Sequence, residues 1–335
     1  MGEQAKILIE LRSVIHEQLE LLRIILYVMS EGPVTYHGQP LTCLLEKDKA
    51  RATAAVSMGA GQSLTTILNN SAERGISVRD LYPIARAVVE GFINAAFFTT
   101  QPLEVSQRAL SHRDYAAWKH DNRVVGTGEF MFTLGSDPNP RATAAKKFPE
   151  FSGKGRESWS SLDAPSKIER VGKVVRASGG ALLGAYAGIY AVSSEIIHGS
   201  VYGMSYFVSA YGCKDPTTET FLSGTEEQMI DILSAVGHAA SGFVSAFANV
   251  HKFGLWFLTS TPCSNVFSRQ SLRTTGLEAT HQSKTSKKRL ASHRRRRHIT
   301  PVDQNTLPSS CSMEETNRAT PHSSCEPALL LRSSS

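Results

Sequence analysis

The sequence has few cysteines and none of the short motifs that identify common metal or nucleotide sites. Its five cysteines include no Cys-x-x-Cys pair, and three of them lie beyond residue 259. Their odd number and long spacings argue against a disulfide framework or a structural zinc site. No His-Glu-x-x-His, Gly-x-x-x-x-Gly-Lys or Gly-x-Ser-x-Gly motif is present. We therefore predict no metal and no cofactor, and we expect the reducing environment of the cytoplasm.

The net positive charge of the chain comes from the residues after 258, while the body of the chain is nearly neutral. Of the 36 Lys and Arg residues, 12 lie after residue 258, together with 5 of the 30 Asp and Glu residues. The first 258 residues thus hold 24 basic and 25 acidic side chains, a balance of −1 that gives no support for nucleic-acid binding. Residues 259–335 are rich in Ser and Thr and predict a disordered basic tail. That tail either contacts nucleic acid non-specifically or is an unselected extension, such as a shifted reading frame.

Two segments resemble membrane spans in their apolar composition, but each contains charged or histidine side chains. The segment 85–98 is short and contains Arg86 and Glu90, and the segment 232–247 contains His238. A buried helix accounts for each of them at a lower cost than a membrane span. The N-terminal 30 residues are amphipathic and do not resemble a signal peptide. We therefore expect no membrane span.

Helical periodicity is the dominant pattern, and strand signals are sparse. Residues 126–164 are rich in Gly, Pro, Ser and Lys and predict a long, irregular, mobile insertion. The sequence therefore predicts an all-α fold, a bundle of six to seven helices in a single domain over 1–258. The segments with helical spacing are 4–29, 44–70, 78–100, 102–125, 165–198 with a break near 178–180, and 225–258.

Arg86 and Glu90 are separated by one helical turn within an apolar segment. Because the surrounding residues are apolar, we expect both side chains to be buried, and a buried charge needs a partner or a task. In one interpretation they form a site, where the arginine binds an anion and the carboxylate orients it. In the other they form a structural ion pair that fixes the helix.

A second candidate lies at the end of the helix that precedes residue 199. Glu195 and His198 are one turn apart there, and His198 is either a general acid or base or a helix cap. The same helix carries Gly180, Gly184 and Gly188 at near-helical spacing. Since small residues permit close approach, we expect this glycine face to pack against the helix of Arg86, which would bring the four polar residues together.

Two weaker patterns complete the list of candidates. Glu195-Ile-Ile-His198 matches half of a di-iron carboxylate motif, but no second Glu-x-x-His occurs in residues 1–258. Arg113 and His120 are two helical turns apart on one face. They are either an alternative catalytic pair or part of a solvated helix surface.

These motifs resemble a family of bacterial helical proteins that is known only as a domain of unknown function. The resemblance is carried by Arg86-x-x-x-Glu90 and by Ser194-x-x-x-His198-Gly199, and it covers roughly residues 10–258. More distantly, the chain is similar to HEPN domains, helical nucleases that cut RNA without metal. That similarity implies that a histidine activates the ribose hydroxyl and an arginine stabilises the phosphate. No arginine occurs in residues 191–197 ahead of His198, which departs from the HEPN pattern.

Two functions are therefore open at this point. The first is a HEPN-like, metal-independent ribonuclease of a defence or toxin system, with RNA as its partner. It would use Arg86, Glu90, Glu195 and His198, or Arg113 with His120. The second is a non-enzymatic helical interaction or sensor module that contains a buried polar network and binds a protein partner or a second copy of itself.

Overall fold

The computed structural model describes residues 2–72, 78–137, 139–153, 155–209 and 217–253, and over these residues it contains nine α-helices and two short hairpins. They all belong to one unit that covers Met1–Glu278. The helices are α1 (Glu3–Ser30), α2 (Lys47–Asn70), α3 (Val78–Thr100), α4 (Leu103–Asp121), α5 (Pro140–Lys147), α6 (Ala164–Val174), α7 (Arg176–Ile197), α8 (Val201–Ser209) and α9 (Thr218–Val250). Strands β1 (Val34–Tyr36) and β2 (Gln39–Leu41) form one antiparallel hairpin, and β3 (Val124–Thr127) and β4 (Phe130–Thr133) form the other.

Helices α3 and α9 lie at the centre of the bundle. Helix α3 packs against α2, α7 and α9, while α9 also packs against α1 and α7. Phe92 of α3 and Phe243 of α9 are fully buried, and their rings stack with centroids 5.7 Å apart. A helix that is apolar on most of its surface is stable in water only when its neighbours cover it. The apolar content of these two helices therefore accounts for their central position.

The structure confirms the all-α class and most of the predicted helices. One difference is the break before α7, which falls at Val175 rather than at 178–180. The reason is a close contact across that break: a Cβ atom added to Gly179 would lie 2.5 Å from the Cα atom of Gly172. Only glycine allows α6 and α7 to approach so closely. Helix α8 is a second difference, since the predicted helical segments end at 198 and resume only at 225.

The predicted irregular insertion, 126–164, contains several short regular elements in its described residues. It contains part of the β3–β4 hairpin, helix α5 and a 3-10 turn at Pro149–Phe151. Phe151 is fully buried and stacks on Tyr115 of α4 with ring centroids 5.2 Å apart. Arg108 of α4 donates hydrogen bonds to the backbone carbonyl of Trp159 and to two neighbouring carbonyls. The loop-like composition of the segment does not reveal the aromatic contacts that anchor it to α4. Its mobility stays a prediction.

The predicted basic tail, 259–335, lies outside the described residues, so its predicted disorder stays a prediction.

Candidate functional site

The Arg86–Glu90 pair forms as the spacing predicts. Arg86 Nε donates to Glu90 Oε1 over 3.0 Å, within α3. The expectation that both charges are buried was wrong. The Arg86 side chain is 20% exposed and that of Glu90 is 43% exposed, because this face of α3 lies at the edge of the bundle. The pair therefore has access to water.

Helix α7 provides the second partner of Arg86. The guanidinium Nη2 donates to the Tyr190 hydroxyl over 3.1 Å, and its central carbon lies 4.2 Å from the centroid of the Tyr190 ring. The ring of Tyr186 stacks on that of Tyr190 at 4.4 Å. A guanidinium that both stacks on and bonds to a tyrosine holds two helices in register. Arg86 thus joins α3 to α7.

Lys167 of α6 is the second cation at this position. Its Nζ donates to Asn94 Oδ1 over 3.0 Å and lies 4.1 Å from the centroid of the Trp159 ring. Burial lowers the pKa of Lys167, while the negative charges of Glu90 and Asp163 oppose that shift. Since Arg86, Glu90 and Asn94 follow one another at four-residue intervals, they form a single polar face of α3. We call Arg86, Glu90, Asn94, Lys167 and Tyr190 the charged centre.

The side chains of the charged centre are engaged with one another, which limits the chemistry that they can perform. Both cations have a hydrogen-bond acceptor and an aromatic ring, and Glu90 offsets part of their charge. The arrangement therefore suits a link between three helices better than a site that must release a cation to a ligand. Among the described residues, no group of three or more His, Cys, Asp and Glu side chains is placed to hold a metal ion.

Glu195 and His198 lie apart from the charged centre. Glu195 accepts a hydrogen bond from the Ser200 hydroxyl, whose oxygen also accepts from the backbone nitrogen of Gly203 in α8. His198 is exposed at the end of α7. It is about 12 Å along the helix axis from Tyr190 at 1.5 Å per residue. In the described structure, no hydrogen bond, ion pair or ring contact joins either residue to Arg86 or Glu90, so the expected four-residue centre is not formed.

The alternative pair, Arg113 and His120, lies on an exposed face of α4. Arg113 pairs with its neighbour Asp114 at 2.8 Å. His120 Nδ1 lies 3.2 Å from Arg123 Nη1 at the end of the helix. Each residue thus has a local partner, and no contact between the two is present in the described structure. This arrangement matches the solvated surface that was one of the two interpretations.

Two glycines of the predicted packing face, Gly180 and Gly184, point away from the bundle, whereas a Cβ atom added to Gly188 would lie 3.9 Å from Ala235 Cβ of α9. This corrects the predicted packing of the glycine face on α3. A Cβ atom added to Gly180 or Gly184 would meet nothing within 4 Å. The opposite face is the one that packs on α3 and α9, and it includes the buried residues Leu182, Ala185 and Ile189. The prediction that the glycine face packs on the helix of Arg86 was wrong, because the spacing of small residues does not show which face of a helix the rest of the chain covers.

A cavity of about 280 Å³ lies between α1, α2 and the start of α9. Its lining is mostly apolar and includes Arg12, which donates to the Ser71 hydroxyl over 3.0 Å. None of the predicted site residues lines it.

In the described part of the chain, three helices could cross a membrane by length and apolar composition alone, namely α3, α7 and α9. Within the most apolar stretch of each helix, 61% of the stretch is buried in α3 and 67% in α9, but only 28% in α7. Helices α3 and α9 contain the two segments that the sequence predicted to be buried. Helix α7 was missed as a candidate, although its lack of charge between Arg176 and Glu195 was visible in the sequence.

No family model, curated protein or solved structure matches this chain. The resemblances to the bacterial helical family and to HEPN domains therefore stay predictions. The fold and the site define an all-α bundle with a charged centre between three helices and one largely uncovered apolar helix, and the function must be inferred from those surfaces.

Proposed function

We propose that this protein is a non-enzymatic helical interaction module, and that the outer face of α7 binds its protein partner. The observation that carries the proposal is the exposure of a helix as apolar as the two core helices. Leu183 and Ile197 are each 52% exposed on it, and no charged residue occurs between Arg176 and Glu195. Contiguous apolar surface of this kind is characteristic of interaction sites.

The charged centre supports this function by holding α7 in place. Arg86 and Tyr190 fix α7 to α3, and the other cation, Lys167, ties the neighbouring helix α6 to the same face of α3. The Arg86–Tyr190 contact joins α7 to α3, and the Lys167–Asn94 contact joins α6 to α3, so neither involves Gly180 or Gly184 of α7. A rigid, preorganised surface loses less conformational entropy when a partner binds.

The ribonuclease hypothesis has less support from the geometry. It requires an arginine and a histidine at one phosphate, within hydrogen-bond reach of the reacting atoms. Arg86 is directed at Glu90 and Tyr190, while His198 lies two turns further along α7. The charge balance of −1 over residues 1–258 also provides no net positive charge for RNA binding.

Site-specific photocrosslinking at Leu183 in cells tests the interaction module. We expect the full-length protein, with benzoylphenylalanine at this position, to give a defined protein adduct above its own mass. Gly184→Arg should abolish that adduct because it places a long cation in the open space of the face. Gly59→Arg is the matched control, since Gly59 is an exposed α2 residue whose Cβ position is equally open.

Two outcomes would contradict the proposal. An adduct that persists in the Gly184→Arg variant would mean that the crosslink is not made through this face. A protein that gives no protein adduct and sediments with the membrane fraction would mean that lipid covers α7. Circular dichroism of both arginine variants checks that they remain folded.

A further inference from the structure

The exposed face of α7 has a pattern that is nearly symmetric about its own middle. Small residues at Gly180 and Ala191 are equally far from the point between residues 185 and 186, and so are those at Gly184 and Ala187. All four are exposed. In an antiparallel two-fold contact between identical helices centred on this point, each of these small residues lies opposite another small residue.

The charges at the two ends of α7 follow the same symmetry and are opposite in sign. Arg176 begins the helix and Glu195 lies in its last turn, and their midpoint also falls between residues 185 and 186. Arg176 is exposed and makes no ion pair in the described part of the chain. Glu195 is partly exposed, and its hydrogen bond from Ser200 leaves the charge uncompensated. Each end of the helix thus offers the charge that the other end lacks.

Bulky apolar residues lie just outside these charges and extend the pattern. Val174 precedes α7 and is 50% exposed, and Ile197 ends it and is 52% exposed. They are equidistant from the same midpoint in sequence, although Val174 is the last residue of α6. In α8, Val201 is 84% exposed and Tyr202 is 60% exposed.

From this juxtaposition we propose that α7 pairs antiparallel with α7 of a second copy of this chain. The inference rests on the proposed interaction module and names its partner. In the pair, Gly184 of one chain lies opposite Ala187 of the other, and the small residues let the two backbones approach closely. Arg176 of each chain lies opposite Glu195 of its partner, which favours the antiparallel arrangement over the parallel one.

The dimer should be weak and concentration-dependent. A helix of 22 residues is about 33 Å long, and one such contact alone falls short of the roughly 1,000 Å² that stable interfaces bury. The exposed residues of α8 add to it. The two charge pairs are near the surface, so they contribute more to orientation than to affinity.

Charge exchange between two variants of the full-length chain tests the arrangement. We expect Arg176→Glu and Glu195→Arg each to weaken self-association about tenfold, because like charges then meet at both ends of the pair. An equimolar mixture of the two variants should regain wild-type dimerisation, since both ends of the mixed pair are again of opposite sign. The readouts are sedimentation velocity over a concentration series and energy transfer between differently labelled variants. Glu195→Gln, which keeps an acceptor for Ser200, is the folding control.

The outcomes separate this inference from the proposed function. A wild-type protein that stays monomeric at every concentration, or a mixture that is not rescued, overturns the antiparallel pair. If the Leu183 crosslink then joins a protein of another mass and is lost in Gly184→Arg, the interaction module stands and its partner is not a second copy. If wild-type protein floats with phosphatidylcholine vesicles and Gly184→Arg does not, the face binds lipid and both proposals fail.

Discussion

The charged centre allows a quantitative prediction about stability. Replacing Arg86 with methionine keeps most of the aliphatic volume but removes three contacts: the pair with Glu90, the hydrogen bond to Tyr190 and the stacking on its ring. An i,i+4 ion pair at this exposure contributes about 0.5 kcal/mol. The hydrogen bond contributes about 1 kcal/mol, and the cation–π contact contributes about 0.5–1 kcal/mol.

We therefore expect Arg86→Met to lower the free energy of unfolding by about 2 kcal/mol, and Glu90→Gln by about 0.5 kcal/mol. A fully buried pair would behave differently, because loss of one partner would then cost about 3–5 kcal/mol. The difference follows from the 43% exposure of the Glu90 side chain, which lets water solvate its carboxylate. Arg113→Met is the matched control on α4, where the exposed pair with Asp114 should be worth less than about 0.5 kcal/mol.

Urea unfolding followed by circular dichroism measures these differences, provided that the slope with denaturant is unchanged. A double-mutant cycle of Arg86→Met with Tyr190→Phe isolates the hydrogen bond, and we expect a coupling free energy of about 1 kcal/mol. A loss of 3 kcal/mol or more in Glu90→Gln would refute the reasoning, because it would mean that the carboxylate is desolvated. A coupling near zero would show that the Tyr190 hydroxyl does not stabilise Arg86.

Three further predictions test packing, titration and catalysis. Gly179→Ala should destabilise the protein by about 1–3 kcal/mol because its methyl group meets the backbone of α6. Gly180→Ala should instead stabilise the isolated chain by up to about 1 kcal/mol, since alanine has the higher helix propensity and its methyl group meets nothing. Thermal unfolding measures both changes. His251 is buried and its pKa is lowered chiefly by that burial, so the folded chain holds it neutral. Since the unfolded ring binds a proton near pH 6.5, unfolding free energy should fall as pH drops below that value, and His251→Gln should reduce the slope. Purified protein should leave RNA intact in EDTA, and metal-independent cleavage that is lost in both Arg86→Ala and His198→Ala would instead favour the nuclease.

The pattern of the helices could be read from the sequence because it depends on neighbours within a few residues. The apolar spacing of 78–100 gives α3 with its observed bounds, and the four-residue interval between Arg86 and Glu90 gives their ion pair. The other partners of the charged centre could not be found in this way. Tyr190 and Lys167 are 104 and 73 residues away from the α3 side chains that they contact, and no local signal links them.

The insertion illustrates a different limit of local reasoning. Its composition is typical of loops, and that signal outweighed the aromatic residues that anchor it. Phe151 lies with Phe148 in an otherwise polar stretch, and its full burial depends on Tyr115 and Arg108 of α4. Such an anchor is visible only after both segments have been placed.

The sequence by itself determined that this chain is an all-α protein, that Arg86 and Glu90 pair, and that α7 carries a face of small residues. Each of these follows from the period of the helix. Only the tertiary structure decided that the glycine face of α7 is open while Leu182 and Ile189 face the core. Both faces are apolar, so local spacing cannot rank them. The choice depends on which one fits against α3 and α9 once the rest of the bundle has formed.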